Sequence, residues 1–588
     1  MSHPKPHLLL RAPTPTQLSL SFCEANPRDL KRWIATLPKA NLGETARLLY
    51  QGLSELNQLV TPSENRLQLL ELLRPEVYFV CKHLERHFLN QAIVLDERSR
   101  KVANLCQALQ NHLAIGYKQI VMREAEQYAK DRANLLAAGI QRALHCLNAP
   151  LVRASLLYCP VPEGVWLELH QLFQVAQQYG LHNHAVNDDS ATHAPTLTVQ
   201  QTYVMSLLLG SSRCNQMRQN AIAKLAEVLD TWSALAKVQA ATAPTSLFAV
   251  ATDVDGPPRY KTLFTDEQMP GLLGLNPIAL AEAIKHYLAL PMEQRAQSRL
   301  VPMGFSLDLL QHLAAAWGDV AERTFQRTPG QGNLTLCIGM SALHYYLGGE
   351  RSFSDILKRP EAGSDALFAA SDMNESWMQN FASNKSVEEI QYELPSGEGP
   401  VGGANSEQNF PTHTLQIVNH SPGGYCLAWA KDVPPQLQAG EMVGIQDAQS
   451  QGWSVAVVRW VRQVRSGGTQ MGIELVAPHA QPCGLQLIRT SEANSQYLRG
   501  LLLPEIRAID IPATLLAPRL PFQEGNKIMI NTNGEESQAA LSKRVTSTGS
   551  FNQFEYRALE QPASIADGSA AAGNVPQEDE FDSLWKEL

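Results

Sequence analysis

Asn419-His420-Ser421-Pro422-Gly423-Gly424 stands between two strand-like runs, and its reading decides what the C-terminal third of the chain is. Upstream, Thr412 to Val418 carries β-branched residues at the period of a strand, and Tyr425-Cys426-Leu427-Ala428-Trp429 repeats that pattern downstream. The six residues are therefore expected to form a turn between two strands. Asn and Ser side chains bond nearby amides, and two glycines permit positive φ and close backbone approach, so consecutive N–H groups can converge into a concavity that suits a phosphate.

The same order of strands and turns continues. After Gly440-Glu441-Met442-Val443-Gly444-Ile445, the run WSVAVVRWVRQV from Trp453 to Val464 reads as a long strand. Arg465-Ser466-Gly467-Gly468-Thr469 then turns the chain into Met471-Gly472-Ile473-Glu474-Leu475. N-x-S-x-x-G, G-E-x-V, V-V-R-W-V-R and G-I-E-L, taken in that order over residues 412–490, resemble the PilZ domain, the bacterial receptor module for cyclic di-GMP. The resemblance implies a β-barrel with cyclic di-GMP as ligand, and it places Asn419, Ser421, Gly423 and Gly424 against that ligand. PilZ receptors also carry an Arg-x-x-x-Arg pair a short way before this turn, where guanidinium groups grip guanine edges and phosphates. The stretch from Gln391 to Pro411 holds no arginine or lysine. Arg459, Arg462 and Arg465 are the substitutes at hand. Strand alternation is expected to put Arg459 and Arg462 on opposite faces and to leave Arg465 at the hairpin tip.

Composition limits the remaining choices. The chain has 588 residues, 44% hydrophobic and 18% charged, as a soluble globular protein of several domains does. Forty-eight basic residues against fifty-seven acidic ones leave a net charge of −9, which argues against a general electrostatic grip on DNA, RNA or anionic membrane. No apolar run reaches the ~18 residues of a membrane span, and MSHPKPHLLLRAPTPTQ lacks the apolar core of a signal peptide. A cytoplasmic protein is expected. Nine scattered cysteines with no C-x-x-C pair suggest neither a disulfide framework nor a zinc site.

Residues 27–393 read as predominantly helical. Leu42, Ala46, Leu49, Leu53, Leu56 and Val60 recur at steps of four and three, the stripe of an amphipathic helix. Thr61-Pro62-Ser63-Glu64 reads as the next helix start, with threonine as N-cap and proline at the first helical position. Further helices are expected over 66–73, 76–88, 101–112 and 123–147, and onward to 324. Leu247 to Leu263 is the exception, a β-hairpin insertion turning at Asp255-Gly256. Its DVDG resembles a calcium loop, but Phe264 occupies the place of the required glutamate. His182, His184, Asp188, Asp189 and His193 could ligate a metal, yet a polar loop between helices accounts for them, and no metal is expected.

The fold class is thus α+β multidomain: an N-terminal arm 1–26, the helical region 27–393, a Gly/Pro/Ser-rich linker 394–411, a PilZ-like β-barrel 412–490, and a strand-rich unit 491–560 that extends the barrel. Ser491 to Leu501 is read as a helix within that unit, and 561–588 as a disordered tail. In its acidic end, Phe581, Leu584, Trp585 and Leu588 share one helical stripe and suggest a contact for a protein partner. No G-x-S-x-G or H-E-x-x-H motif is present, so an enzyme is not expected. GGDEF and EAL are absent too, so the chain is expected to read cyclic di-GMP rather than make or destroy it. The layout resembles pole-localised receptors that link this second messenger to surface attachment and type IV pili. The alternative is a nucleotide-blind scaffold that retains a degenerate PilZ domain.

Overall fold

The computed structural model describes all residues except 1–8, 189–190, 192, 303, 319–325, 359–409, 431–432, 448–451, 466, 490–494, 506–511 and 560–588. The expected linker 394–411, apart from its last two residues, and the expected tail with Phe581, Leu584, Trp585 and Leu588 lie outside the described residues.

Eight helices lead: α1 Pro27–Ala35, α2 Leu42–Gln58, α3 Ser63–Leu84, α4 Glu97–Glu126, α5 Ala133–Leu156, α6 Val165–Gln178, α7 Val199–Ser211 and α8 Gln219–Trp232. Ala46, Leu49, Leu53 and Leu56 of the expected stripe form the buried face of α2, whose N-terminus Asn41 caps, whereas Val60 lies beyond the helix and is exposed. α3 begins one residue later than expected, because Pro62 keeps an extended ψ of 149° and stands as the cap residue without a side-chain cap bond. It then runs unbroken through Pro75, where two separate helices were expected. Arg74 beside that proline forms a buried ion pair with Asp188 at 2.6 Å, and Arg142 lies 3.5 Å from the same carboxylate. Asp188, a candidate metal ligand, therefore serves a buried cation cluster instead. Among the described residues no group of His, Cys, Asp and Glu could hold a metal, and no helix is long and apolar enough to cross a membrane.

Short strands interrupt the helices: β1 Ala185–Asn187, β2 Thr196–Thr198, β3 Lys237–Ala240, β4 Phe248–Val250, β5 Arg259–Tyr260 and β6 Leu273–Asn276. The expected hairpin forms as β4 against β5, and β3 and β6 complete a four-stranded sheet. Asp255 at its turn accepts hydrogen bonds from Gly164 N (2.7 Å) and Leu167 N (3.2 Å), so the DVDG carboxylate caps α6. Helices α9 Ile278–Ala289, α10 Met292–Arg295 and α11 Leu307–Gly318 follow.

The remaining elements are β7 Thr328–Pro329, β8 Asn333–Ile338, α12 Met340–Leu347, α13 Phe353–Leu357, β9 Thr412–Ser421, β10 Gly424–Trp429, β11 Met442–Asp447, β12 Ser454–Gln463, β13 Thr469–Ala477, β14 Gln481–Leu487, β15 Leu498–Leu503, β16 Thr514–Pro518, β17 Lys527–Thr532, β18 Glu535–Ser547 and β19 Phe551–Ala558. The seven-stranded sheet has the order β10-β13-β12-β11-β8-β9-β7, and β10 also pairs with β9, so all its strands but β7 lie in a closed ring. The ring takes β8 from residues expected to be helical.

Two expectations are corrected further on. Strands β14-β15-β16-β19-β18-β17 close a barrel of their own rather than extend the first. Leu498–Leu503, read as the end of a helix, is strand β15.

By its contacts the chain divides into two compact units, one of Met1–Gly332, Gln416–Gly440 and Val458–Glu474, the other of Asn333–Leu415, Glu441–Val457 and Leu475–Leu588. The first holds α1 to α11, β1 to β7 and β10, together with residues 416–421 of β9, 458–463 of β12 and 469–474 of β13. The second has two cores, one joining Cys337, Leu343, Met442 and Val455 to Leu501 and Phe551, the other filling the second barrel around Leu485, Leu515, Phe522 and Phe554.

Candidate functional site

The expected six-residue turn contracts to two residues. Asn419, His420 and Ser421 belong to β9, Gly424 opens β10, and Ser421 pairs with Gly424 across a loop of Pro422 and Gly423. Pro422 has no N–H, so the expected cradle of consecutive amides does not form there. Ser421 Oγ donates to Gly424 O at 3.4 Å. Gly424 has φ +154°, and a Cβ on it would stand 2.0 Å from Ile473 O. Only glycine fits where β10 meets β13.

What the motif builds is a row across four strands. Pro329 of β7 pairs with Asn419 of β9, Asn419 with Cys426 of β10, and Cys426 with Gly472 of β13. Paired residues share a face of the sheet. The Oδ1 atom of Asn419 is buried on this row with no hydrogen-bond partner, and a buried acceptor left unpaired costs free energy unless something bonds it.

β12 covers the end of the row, and here alternation fails. Val458 and Val461 are both fully buried although three residues apart, which a strict period of two does not give. Arg459 consequently pairs with Glu474 at 2.6 Å, Trp460 lies on Gly472, and Arg462 Nη2 donates to Gln470 at 2.8 Å. Gln470, Gly472 and Glu474 alternate along β13 and share one face. The expectation that Arg459 and Arg462 face opposite ways is therefore corrected: both lie over this face. Arg465 goes elsewhere. It lines a cavity of about 320 Å³ with Trp166, Arg213, Cys214, Asp255 and Pro257.

Sequence reasoning missed the near end of the row. Arg323-Thr324-Phe325-Gln326-Arg327 has the Arg-x-x-x-Arg spacing but precedes the Gln391–Pro411 stretch in which the resemblance places the pair. The pair stands far upstream in sequence because β8, α12, α13 and residues 359–409 come between it and β9. In space Arg327 is adjacent: the next residues, Thr328 and Pro329, pair with His420 and Asn419. Arg323 lies outside the described residues. Arg327 is exposed. Burial raises the pKa of the Cys426 thiol, and the positive charges of Arg327 and Arg462 pull it back, so both guanidinium charges are felt at Cys426.

Three profiles of one family match the chain in succession. The cyclic-di-GMP receptor FimW N-terminal domain covers residues 28–244, the FimW middle PilZ domain 247–482 and the FimW C-terminal β-barrel domain 483–559. Over 608 aligned positions the chain is 59% identical to the cyclic-di-GMP receptor FimW of Pseudomonas aeruginosa, with all of both chains covered. The chain belongs to the FimW family. The FimW middle PilZ match takes in β4 to β13, so the family places the upstream strands β7 and β8 with the motif-bearing strands in one domain. The FimW C-terminal match starts within β14, the first strand of the second barrel. No solved structure matches the chain.

Proposed function

We infer that this chain is a receptor for cyclic di-GMP and that the ligand lies on the face of the sheet carrying Asn419, Cys426 and Gly472. The observation that carries the reading is the buried, unpaired Oδ1 of Asn419 in a row whose Cys426 feels the positive charges of Arg327 and Arg462. Guanine offers N–H donors to such an acceptor, and the two phosphates of the dinucleotide suit guanidinium groups, which bind phosphate through paired N–H donors. Arg323 and Arg327 take the part of the pair that the resemblance requires, and Ser421 and Gly424 hold the hairpin that sets Asn419 in place. The nucleotide-blind alternative rested on the lack of that pair, and it loses its main support. Ligand occupancy is passed to a protein partner, in keeping with a binding protein rather than a catalyst.

Calorimetric titration of the full chain with cyclic di-GMP tests this. Wild type should bind, and Arg327→Ala or Arg323→Ala should each weaken binding by about 10- to 150-fold, the loss of charge-assisted hydrogen bonds worth roughly 1.5–3 kcal/mol. Absence of heat in the wild type, or wild-type affinity in both variants, would overturn the assignment.

A further inference from the structure

Arg465, which the sheet row does not use, lines a cavity of about 320 Å³. That is the space of about ten water molecules at ~30 Å³ each, at the lower end of the range in which proteins hold small ligands. Its walls come from α5, α6, the end of α7 and the loop between β4 and β5, and every lining residue belongs to the first compact unit. Residues of both the 28–244 and the 247–482 family matches contribute, and ligand pockets favour such meeting places of domains.

The body of the cavity is apolar, walled by Leu151, Val161, Leu209, Pro257 and the buried Trp166. Most of its polar groups are already paired. Ser155 Oγ donates to Leu151 O at 2.9 Å, Cys214 Sγ lies 3.1 Å from Ser212 Oγ, and the two carboxylate oxygens of Asp255 accept from Gly164 N and Leu167 N. The Asn215 amide and two guanidiniums remain, and only the guanidiniums are charged. Arg465 is exposed and forms no hydrogen bond or ion pair with a described residue. Its hairpin is seated on the end of α5, where Gln463 Nε2 donates to Leu157 O at 3.0 Å. Arg213 Nη2 donates to the Tyr260 hydroxyl, which leaves Nε and Nη1 without an acceptor among the described residues. Arg213 also stands at φ +57° and ψ +49°, a left-handed conformation that a residue with a side chain adopts at a cost and that gathers at ligand sites.

Apolar walls with unpaired guanidiniums and no free carboxylate select one chemistry. It is an apolar body ending in a single carboxylate, which a guanidinium fork binds through two parallel N–H donors. Cyclic di-GMP, with its two bases, two sugars and two phosphates, exceeds the space of about ten waters. We propose that this cavity is a second ligand site, which takes a small apolar monocarboxylate and meets its charge with Arg465 and Arg213. The site stands apart from the nucleotide assignment and uses no residue of the Asn419–Cys426–Gly472 face. A bound acid ties the β12–β13 hairpin to the loop after α7, so it acts as an effector of that joint.

Octanoate is the probe, and 1-octanol is the same apolar body without the charge. Calorimetric titration of the full chain should show octanoate binding at one site, with 1-octanol weaker by about tenfold or more, the effect of losing one charge-assisted contact. Arg465→Ala should weaken octanoate by about 10- to 150-fold. It should leave the melting temperature without probe unchanged, because that guanidinium has no partner to lose. Arg213→Ala should weaken octanoate likewise, and if it fails to fold, Arg465→Ala decides alone. A wild type that takes no octanoate, equal affinity for 1-octanol, or wild-type octanoate affinity in Arg465→Ala each overturns the proposal.

Discussion

Gly424 shows how much a single position can fix. Its missing Cβ lets β10 approach β13 where Ile473 O would otherwise stand 2.0 Å away, and that approach sets the register that brings Cys426 opposite Gly472. Gly424→Ala should therefore act on stability before it acts on the ligand. A methyl forced against a backbone carbonyl is an overpacking error that costs about 1–3 kcal/mol, and the displaced strand would carry Asn419 out of the row. The expected outcome is a lower urea midpoint together with weaker cyclic di-GMP binding. An unchanged midpoint would mean that the close approach is not needed. Asn419, Ser421 and the two glycines could be picked out from sequence because short-range turn chemistry is written in adjacent residues. Arg327 could not be placed that way, since its proximity to Asn419 is a strand pairing between distant segments. The shared face of Arg459 and Arg462 was equally hidden, because strict alternation puts residues three apart on opposite faces, whereas their partners Glu474 and Gln470 lie on one.

At the level of elements, apolar runs misled where strands are buried on both sides. Leu498–Leu503 reads LRGLLL, and its alternate leucines enter different cores: Leu501 and Leu503 pack with Val455 and Met442, while Leu498 and Leu502 pack against the second barrel's interior. With both faces apolar the period of two vanishes, and a six-residue run cannot be told from a helix end. Proline misled in the other direction, since α3 passes through Pro75. Helix α12 also buries a titratable group. His344 is 1% exposed and its Nε2 lies 3.1 Å from Cys483 O. Burial, aided by the charge of Arg499, pushes its pKa down to about 4. The unfolded chain holds this proton at higher pH, near 6.5. The stability contributed by a neutral His344 is then full above about pH 6.5 and is lost at about 1.4 kcal/mol per pH unit as the pH falls toward 4. His344→Gln keeps a donor for Cys483 O without titrating. Thermal unfolding from pH 7 to pH 4 should show a shallower acid decline in this variant than in the wild type, and identical slopes would place the acid sensitivity elsewhere.

For the whole molecule, the question is how the sheet proposed to bind the nucleotide reaches a helical region of more than two hundred residues matched by its own family profile. Within the first unit, β12 supplies the connection. Gln463, next to Arg462, donates from its backbone N to Tyr158 O at 2.7 Å and from Nε2 to Ile93 O at 2.8 Å and Leu157 O at 3.0 Å. Tyr158 holds a left-handed φ of +52°, and its hydroxyl donates to Met217 O. Farther along, Arg218 Nε donates to Ala439 O at 3.1 Å. A ligand can shift the helical region only as far as it binds the two arrangements of this joint differently, so the joint is where coupling must be sought. Gln463→Ala removes two side-chain hydrogen bonds and leaves Ile93 O without its donor, a cost of about 1–3 kcal/mol. Because Arg462 and the sheet row are untouched, cyclic di-GMP affinity should stay within a few-fold of wild type. Amide hydrogen exchange should separate the two effects. In wild type, ligand should slow exchange at 93–94 and 157–159 as well as in β12, whereas in Gln463→Ala the protection should remain in β12 and disappear from the helical segments. Protection that still reaches those segments in the variant would show that the nucleotide signals through another joint, with the Arg218–Ala439 contact the next to be cut.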